Sequence, residues 1–116
     1  NNAEKNEHGE IMGEPTEAAL LEMVLKTGGG FAKPALFYRE EEIPFDSTRK
    51  LMSVGVKSSE AGSFVFVKGA SDVLLPLCTE YLDENGRRAL SEKVLAYCKK
   101  QLSQMAFGAL RILALG

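Results

Sequence analysis

The chain has 116 residues, with 14 lysines and arginines against 16 acidic residues and a net charge of -2. That length fits one domain with a modest core, and 45% hydrophobic with 26% charged residues is an ordinary globular composition. The lack of a basic excess argues against a nucleic-acid surface, no run reaches the roughly 18 apolar residues of a membrane span, and no signal peptide is visible.

Residues 1–10 are polar and without periodicity, so they are expected to be flexible and loop-like. His8 is the only histidine, and with no cysteine near it a metal site is not expected. Gly13-Glu14-Pro15-Thr16-Glu17 reads as a loop entering a helix, because proline suits a first helical turn. Ala18, Leu20, Leu21, Val24 and Leu25 follow at helical spacing, and Gly28-Gly29-Gly30 stops the helix. Glu17 sits in the first turn, where the helix dipole favours a carboxylate. The stretch 31–42 is mixed, with a break at Lys33-Pro34, strand pairing around 35–38, and a solvated acidic run at Glu40–Glu42.

Ile43 to Ser71 organises the rest. Two β-branched runs flank a turn-rich gap at Ser58–Gly62, which is a hairpin signal. The first run alternates, with Met52, Val54 and Val56 on one face and Leu51, Ser53, Gly55 and Lys57 on the other. Phe64–Val67 is apolar on both faces, so it is expected to be a central strand covered on both sides. Lys68 then carries an ammonium to the sheet's rim, and Gly69-Ala70 leave room for a ligand near the backbone. Phe45 and Lys50 lie near the other end of the hairpin. A ring with two cations suits a planar base with phosphates. Taken singly, Phe45 reads equally as core and each lysine as solvated.

Ser71 is placed as an N-cap with Asp72 in the first turn, ahead of a short buried helix of Val73, Leu74, Leu75 and Leu77. Pro76 keeps that helix short. Tyr81 to Leu90 is a small hairpin turning at Asn85-Gly86, and Arg87-Arg88 is read as solvated. Ser91 caps a helix to about Met105, with Leu95, Cys98, Leu102 and Met105 as a buried stripe and Gly108 as its end. Cys78 and Cys98 fall in these helices and read as buried free thiols of a reducing compartment. Leu110–Leu115 is a final strand, apolar except for Arg111. An arginine there must reach a carboxylate, backbone carbonyls or the surface. The expected fold is α/β of the α+β type, a mainly antiparallel twisted sheet with helices on its faces.

Four strings, taken together, resemble one family. Gly-Glu-Pro-Thr-Glu at 13–17, Phe-Asp-Ser-Thr-Arg-Lys at 45–50, Val-Lys-Gly-Ala at 67–70 and Leu-Arg-Ile-Leu-Ala-Leu at 110–115 are similar, in order, to the nucleotide-binding domain of P-type ATPases. The details look most like the calcium-transporting branch of the type II pumps. The resemblance implies an ATP site in which Glu17 borders the adenine pocket, Phe45 stacks on adenine, and Lys50, Lys68 and Gly69 line the pocket. It also implies that Arg111 reaches toward the phosphates. Some calcium pumps carry a phosphate-contacting arginine two residues after the phenylalanine. Here that position is Ser47, and Arg49 is the nearest substitute, as in the sodium and plasma-membrane calcium pump variant.

The chain has no Asp-Lys-Thr-Gly-Thr string, no Walker A loop, and neither a Ser/His/Asp set nor a zinc spacing. It is therefore expected to bind ATP without hydrolysing it. In an intact pump it would hold the adenosine end and present the γ-phosphate to an aspartate on the phosphorylation domain, catalysis by positioning. Magnesium ligands would lie outside these residues. The expectation is a monomeric single domain, 1–116, excised from the cytoplasmic part of an integral membrane pump. It would not itself be inserted in the membrane, and the phosphorylation and actuator domains would be its partners. The alternatives are an interaction module that docks a peptide on the Phe45–Lys68 surface, and a nucleotide-sensing regulatory domain. An interaction module would bury Phe45 or show a wider exposed apolar patch.

Overall fold

A computed structural model describes residues 1–27 and 37–116. The chain forms two compact units, Asn1–Ala35 and Leu36–Gly116.

In the first unit, β1 (Glu4–Lys5) pairs antiparallel with β2 (Ile11–Met12). The first strand and the turn of this short ribbon lie in the segment, residues 1–10, expected to be loop-like. Asn6 makes it: its side-chain oxygen accepts the backbone N–H of His8 at 3.0 Å and of Glu10 at 2.8 Å. Helix α1 (Pro15–Lys26) starts at the proline as expected, and it buries Leu21. It ends at Thr27, one residue before the glycines. The Thr27 hydroxyl donates to the Met23 carbonyl at 3.0 Å and so satisfies a last-turn acceptor. Gly28–Gly30, the Lys33-Pro34 break and the first half of the strand expected around 35–38 lie outside the described residues, while Phe37 and Tyr38 open β3. On the exposed side of α1 the Lys26 ammonium, 2.7 Å from the Glu22 carboxylate, holds that carboxyl below its ordinary value.

The second unit is built on a four-stranded antiparallel sheet. Its strands are β3 (Phe37–Ile43), β4 (Leu51–Ser58), β5 (Gly62–Gly69) and, further on, β8 (Ala114–Leu115), in the spatial order β3-β4-β5-β8. The expected hairpin is present, with Ser58 paired to Gly62. The Ser58 hydroxyl accepts the Glu60 and Ala61 amides at 3.3 and 3.2 Å, and Gly62 takes a left-handed φ of 87° that suits glycine. Glu40–Glu42, read as a solvated run, instead lies in β3 and pairs with β4 across a bulge between Arg39 and Glu41. Glu40 and Glu41 are exposed, as expected of a solvated run, and Glu42 is half-buried; acidic side chains stay wet on an edge strand, so composition hid the strand.

The core sits on β4. Met52, Val54 and Val56 are buried together, and Leu51, Ser53 and Ser58 are buried as well. β5 differs from expectation, because Phe64, Val65 (63% exposed) and Phe66 are all exposed. β4 has β5 along its whole length and β3 along Ser53–Ser58, whereas β5 is paired on its other side only from Val67 to Gly69. Most of β5 is therefore an edge. Its rings pack on one another and on Phe37, with centroids 5.8 to 6.5 Å apart.

Helix α2 (Ser71–Leu74) runs straight into a 3-10 turn at Leu75–Leu77 that contains Pro76. Its N-cap is Ala70, so Ser71 is already the first helical residue and not the cap. Leu74 is buried, but Leu77 is exposed. Strands β6 (Glu80–Asp83) and β7 (Gly86–Ala89) form the small hairpin. Arg87 and Arg88 stand on its outside, beside Glu80 and Asp83 at 3.6 and 3.0 Å. Helix α3 (Glu92–Phe107) is capped by the Ser91 hydroxyl, which accepts the Val94 amide at 3.4 Å, and it ends at Gly108. Of its expected buried stripe, Leu95, Cys98 and Leu102 are half-buried and Met105 is exposed, and Cys98 lines an open cavity of about 970 Å³ together with Phe66, Leu74 and Leu115. Cys78 and Cys98 are free and half-buried. Cys78 lies just past the 3-10 turn, not inside a helix. Among the described residues no helix is long and apolar enough to cross a membrane.

Candidate functional site

Antiparallel pairing fixes which predicted residues meet. β4 begins and β5 ends at the same edge of the sheet, where Leu51 pairs with Gly69 and Met52 with Lys68. The β3–β4 connection, residues 44–50, emerges at that edge too, because β3 closes with Ile43 opposite Ser53. Phe45, Lys50, Lys68 and Gly69 are therefore gathered at one rim by topology.

The contact at the rim is close. The Lys50 carbonyl accepts the Ala70 amide at 3.0 Å. A β-carbon on Gly69 would overlap that same carbonyl and would stand 2.9 Å from the Leu51 Cα. Only glycine lets the two backbones pack this way. Lys50 has a left-handed φ of 57°, uncommon for a residue with a side chain. Its ammonium-bearing side chain is exposed, while Lys68 is half-buried and has interacting neighbours. Phe45 is 61% exposed.

The loop between Phe45 and Lys50 is a compact turn. The Asp46 carboxylate accepts the amides of Thr48 and Arg49 at 2.8 and 2.7 Å, and the Asp46 carbonyl accepts the Lys50 amide at 2.5 Å. Sequence reasoning missed Asp46. The signal was available, since aspartate bonding to the backbone two residues on is a common turn device. Arg49 is turned onto the sheet, where its guanidinium donates to the Ser53 hydroxyl and, at 3.5 Å, to the Leu51 carbonyl.

Arg111 is exposed and lies before β8, not within a strand, because only Ala114 and Leu115 of the expected strand are paired. β8 still brings it to the rim's neighbourhood. Ala114 pairs with Gly69 and Leu115 with Lys68, and Gly116 exchanges hydrogen bonds of 2.7 and 2.8 Å with Val67. Arg111 is three residues before Ala114, a reach of about 10 Å at most along the backbone. Glu17 belongs to the first unit. There its carboxylate accepts the Asn2 amide at 3.1 Å.

Comparison with known proteins places the chain in a family. The family described as P-type ATPase, cytoplasmic domain N, matches residues 1–116. The chain is 36% identical over 115 residues to "Calcium-transporting ATPase 2, plasma membrane-type" of Arabidopsis thaliana, covering 95% of this chain and 11% of that protein. It is 35% identical over 107 residues to "Calcium-transporting ATPase type 2C member 2" of Mus musculus, covering 90% of this chain and 11% of the relative. Against "Calcium-transporting ATPase lmo0841" of Listeria monocytogenes it is 33% identical over 117 residues, covering 100% of this chain and 13% of the relative. The chain thus spans 11 to 13% of the length of these relatives. With the whole chain matched and the fold antiparallel α+β, this protein belongs to the P-type ATPase cytoplasmic domain N family.

Proposed function

We propose that this chain binds ATP as the nucleotide-holding part of a calcium-transporting P-type pump. The observation that carries the reading is the rim itself, where Lys50 and Gly69 lock backbone to backbone, Lys68 immediately precedes Gly69 on β5, and Phe45 is exposed on the connection that ends at Lys50. The ring offers a stacking face worth about 1–3 kcal/mol to a base. The two ammonium groups offset phosphate charge. Gly69 is buried, and the space beside its bare Cα is taken by the Lys50 carbonyl and Leu51, so it serves the rim by letting the two strand ends close on each other and not by leaving room for a ligand. Arg111 is proposed to extend from the approach to β8 toward the phosphates. For Glu17 the assignment as an adenine partner rests on the family resemblance alone.

In the intact pump these residues would hold the adenosine end while the γ-phosphate is presented to an aspartate on the phosphorylation domain. The work of this chain would be orientation, which lowers the entropic part of the barrier. The charge on the transferring group would be balanced by magnesium held elsewhere. Calcium as the transported ion follows from the names of the relatives.

The test is an ATP titration followed by backbone amide shifts, with and without magnesium. Shifts centred on Phe45, Lys50, Lys68 and Gly69, lost in Phe45→Ala, are expected. No shift at millimolar ATP would sink the reading. One observation favours the rival. The exposed Phe37–Phe64–Phe66 cluster is the wider apolar patch that an interaction module would show. Exposure of Phe45 weighs the other way.

A further inference from the structure

We infer that Asp46 is a positioning residue of the nucleotide site, acting as a hydrogen-bond acceptor that shapes the Phe45–Lys50 loop. This rests on the ATP-binding reading above. Asp46 follows Phe45 directly and precedes Lys50 by four residues. One carboxylate oxygen collects the Thr48 and Arg49 amides, and the Asp46 carbonyl takes the Lys50 amide. Three successive amides are thereby tied to one residue.

The consequence falls on Lys50. The turn delivers it in a left-handed conformation, φ 57°, from which its carbonyl meets the Ala70 amide and the chain enters β4 at Leu51. An L residue holds such a conformation only where its surroundings over-determine it. Here the Asp46 turn holds one side, and the Gly69–Ala70 backbone holds the other. Arg49 adds a third anchor through Ser53. Without the Asp46 acceptor, the Thr48 and Arg49 amides of this exposed loop would turn to water. The spacing between the Phe45 ring and the Lys50 ammonium would then no longer be set.

The chemistry also says what Asp46 does not do. Its negative charge beside a polyphosphate site is unfavourable to an anion. Acceptor geometry is therefore its contribution, and asparagine, which keeps the same oxygen, replaces it without loss.

The experiment is a magnesium-free ATP titration of this chain as wild type, Asp46→Ala and Asp46→Asn, read by amide shifts. Hydrogen exchange of the Thr48, Arg49 and Lys50 amides is measured alongside. Asp46→Ala is expected to weaken ATP binding about threefold to tenfold and to speed exchange at those three amides. Its unfolding midpoint should stay near that of the wild type. Asp46→Asn should bind at least as tightly as wild type, with protected amides. Wild-type affinity in Asp46→Ala overturns the role of Asp46 while leaving the nucleotide site standing. Equal weakness of Asp46→Ala and Asp46→Asn also overturns it, by making the charge responsible. If the wild type binds no ATP, both readings fall. Should Asp46→Ala not fold, Asp46→Gly, which also lacks a side-chain acceptor, replaces it, and an affinity equal to wild type overturns the proposal in the same way.

Discussion

The Lys50 carbonyl lies against Gly69 so closely that no β-carbon fits between them. It is also bonded to the Ala70 amide at 3.0 Å. Because both sides of the contact are backbone, neither yields as a flexible side chain would. Gly69→Ala is expected to cost about 1–3 kcal/mol of stability and to displace Lys50 from the strand end. Denaturant unfolding measures the first effect, and chemical shifts of Lys50, Leu51 and Ala70 report the second. A Gly69→Ala variant as stable as wild type would show that the rim is looser than this packing implies.

Phe45 is exposed and, among the described residues, packs on no other ring, so its removal should separate binding from folding. Phe45→Ala is expected to leave stability within about 0.5 kcal/mol while weakening ATP binding by about tenfold or more. Calorimetric titration and thermal unfolding of the same sample give both numbers. Loss of stability without loss of binding would make Phe45 a packing residue.

The core and the edge of the sheet should respond unequally. Met52 is 5% exposed on β4, whereas Val65 on β5 is mostly exposed. Met52→Ala is expected to cost about 2–5 kcal/mol through lost burial and an unfilled cavity. Val65→Thr keeps the β-branched shape and should stay within about 0.5 kcal/mol. Paired urea melts decide the matter. A large effect at Val65 would mean that something covers β5 in solution.

Two serines that look alike in sequence should behave differently. Ser91 caps α3 through Val94, while Ser71 follows Ala70, the true N-cap of α2. Ser91→Ala is expected to cost about 1 kcal/mol, and Ser71→Ala no more than about 0.5 kcal/mol. Thermal unfolding of the two variants provides the check.

Local chemistry made several elements legible from the sequence. Pro15 marked the start of α1, Ser91 and Gly108 bracketed α3, and the β-branched runs around Ser58–Gly62 announced the central hairpin. These signals act over a few residues, where capping, turn geometry and side-chain period dominate. Acidic residues on an edge strand and a serine one place past its cap carry no such distinction. The strand under the solvated run Glu40–Glu42 was therefore missed, and Ser71 was misplaced as a cap.

The sequence by itself determined the family, through four ordered strings, and the residue types of the candidate site. Tertiary structure decided that β4 rather than β5 holds the core, because β4 lies between β3 and β5, whereas β5 is paired on its far side only from Val67 to Gly69. It also decided that Arg111 stands before the last strand, since β8 pairs only at its end. It revealed Asp46 and the Lys50–Gly69 contact as well. Both depend on hydrogen-bond direction and on the distance between strands. Those quantities arise only when residues far apart in sequence are brought to one edge of a sheet.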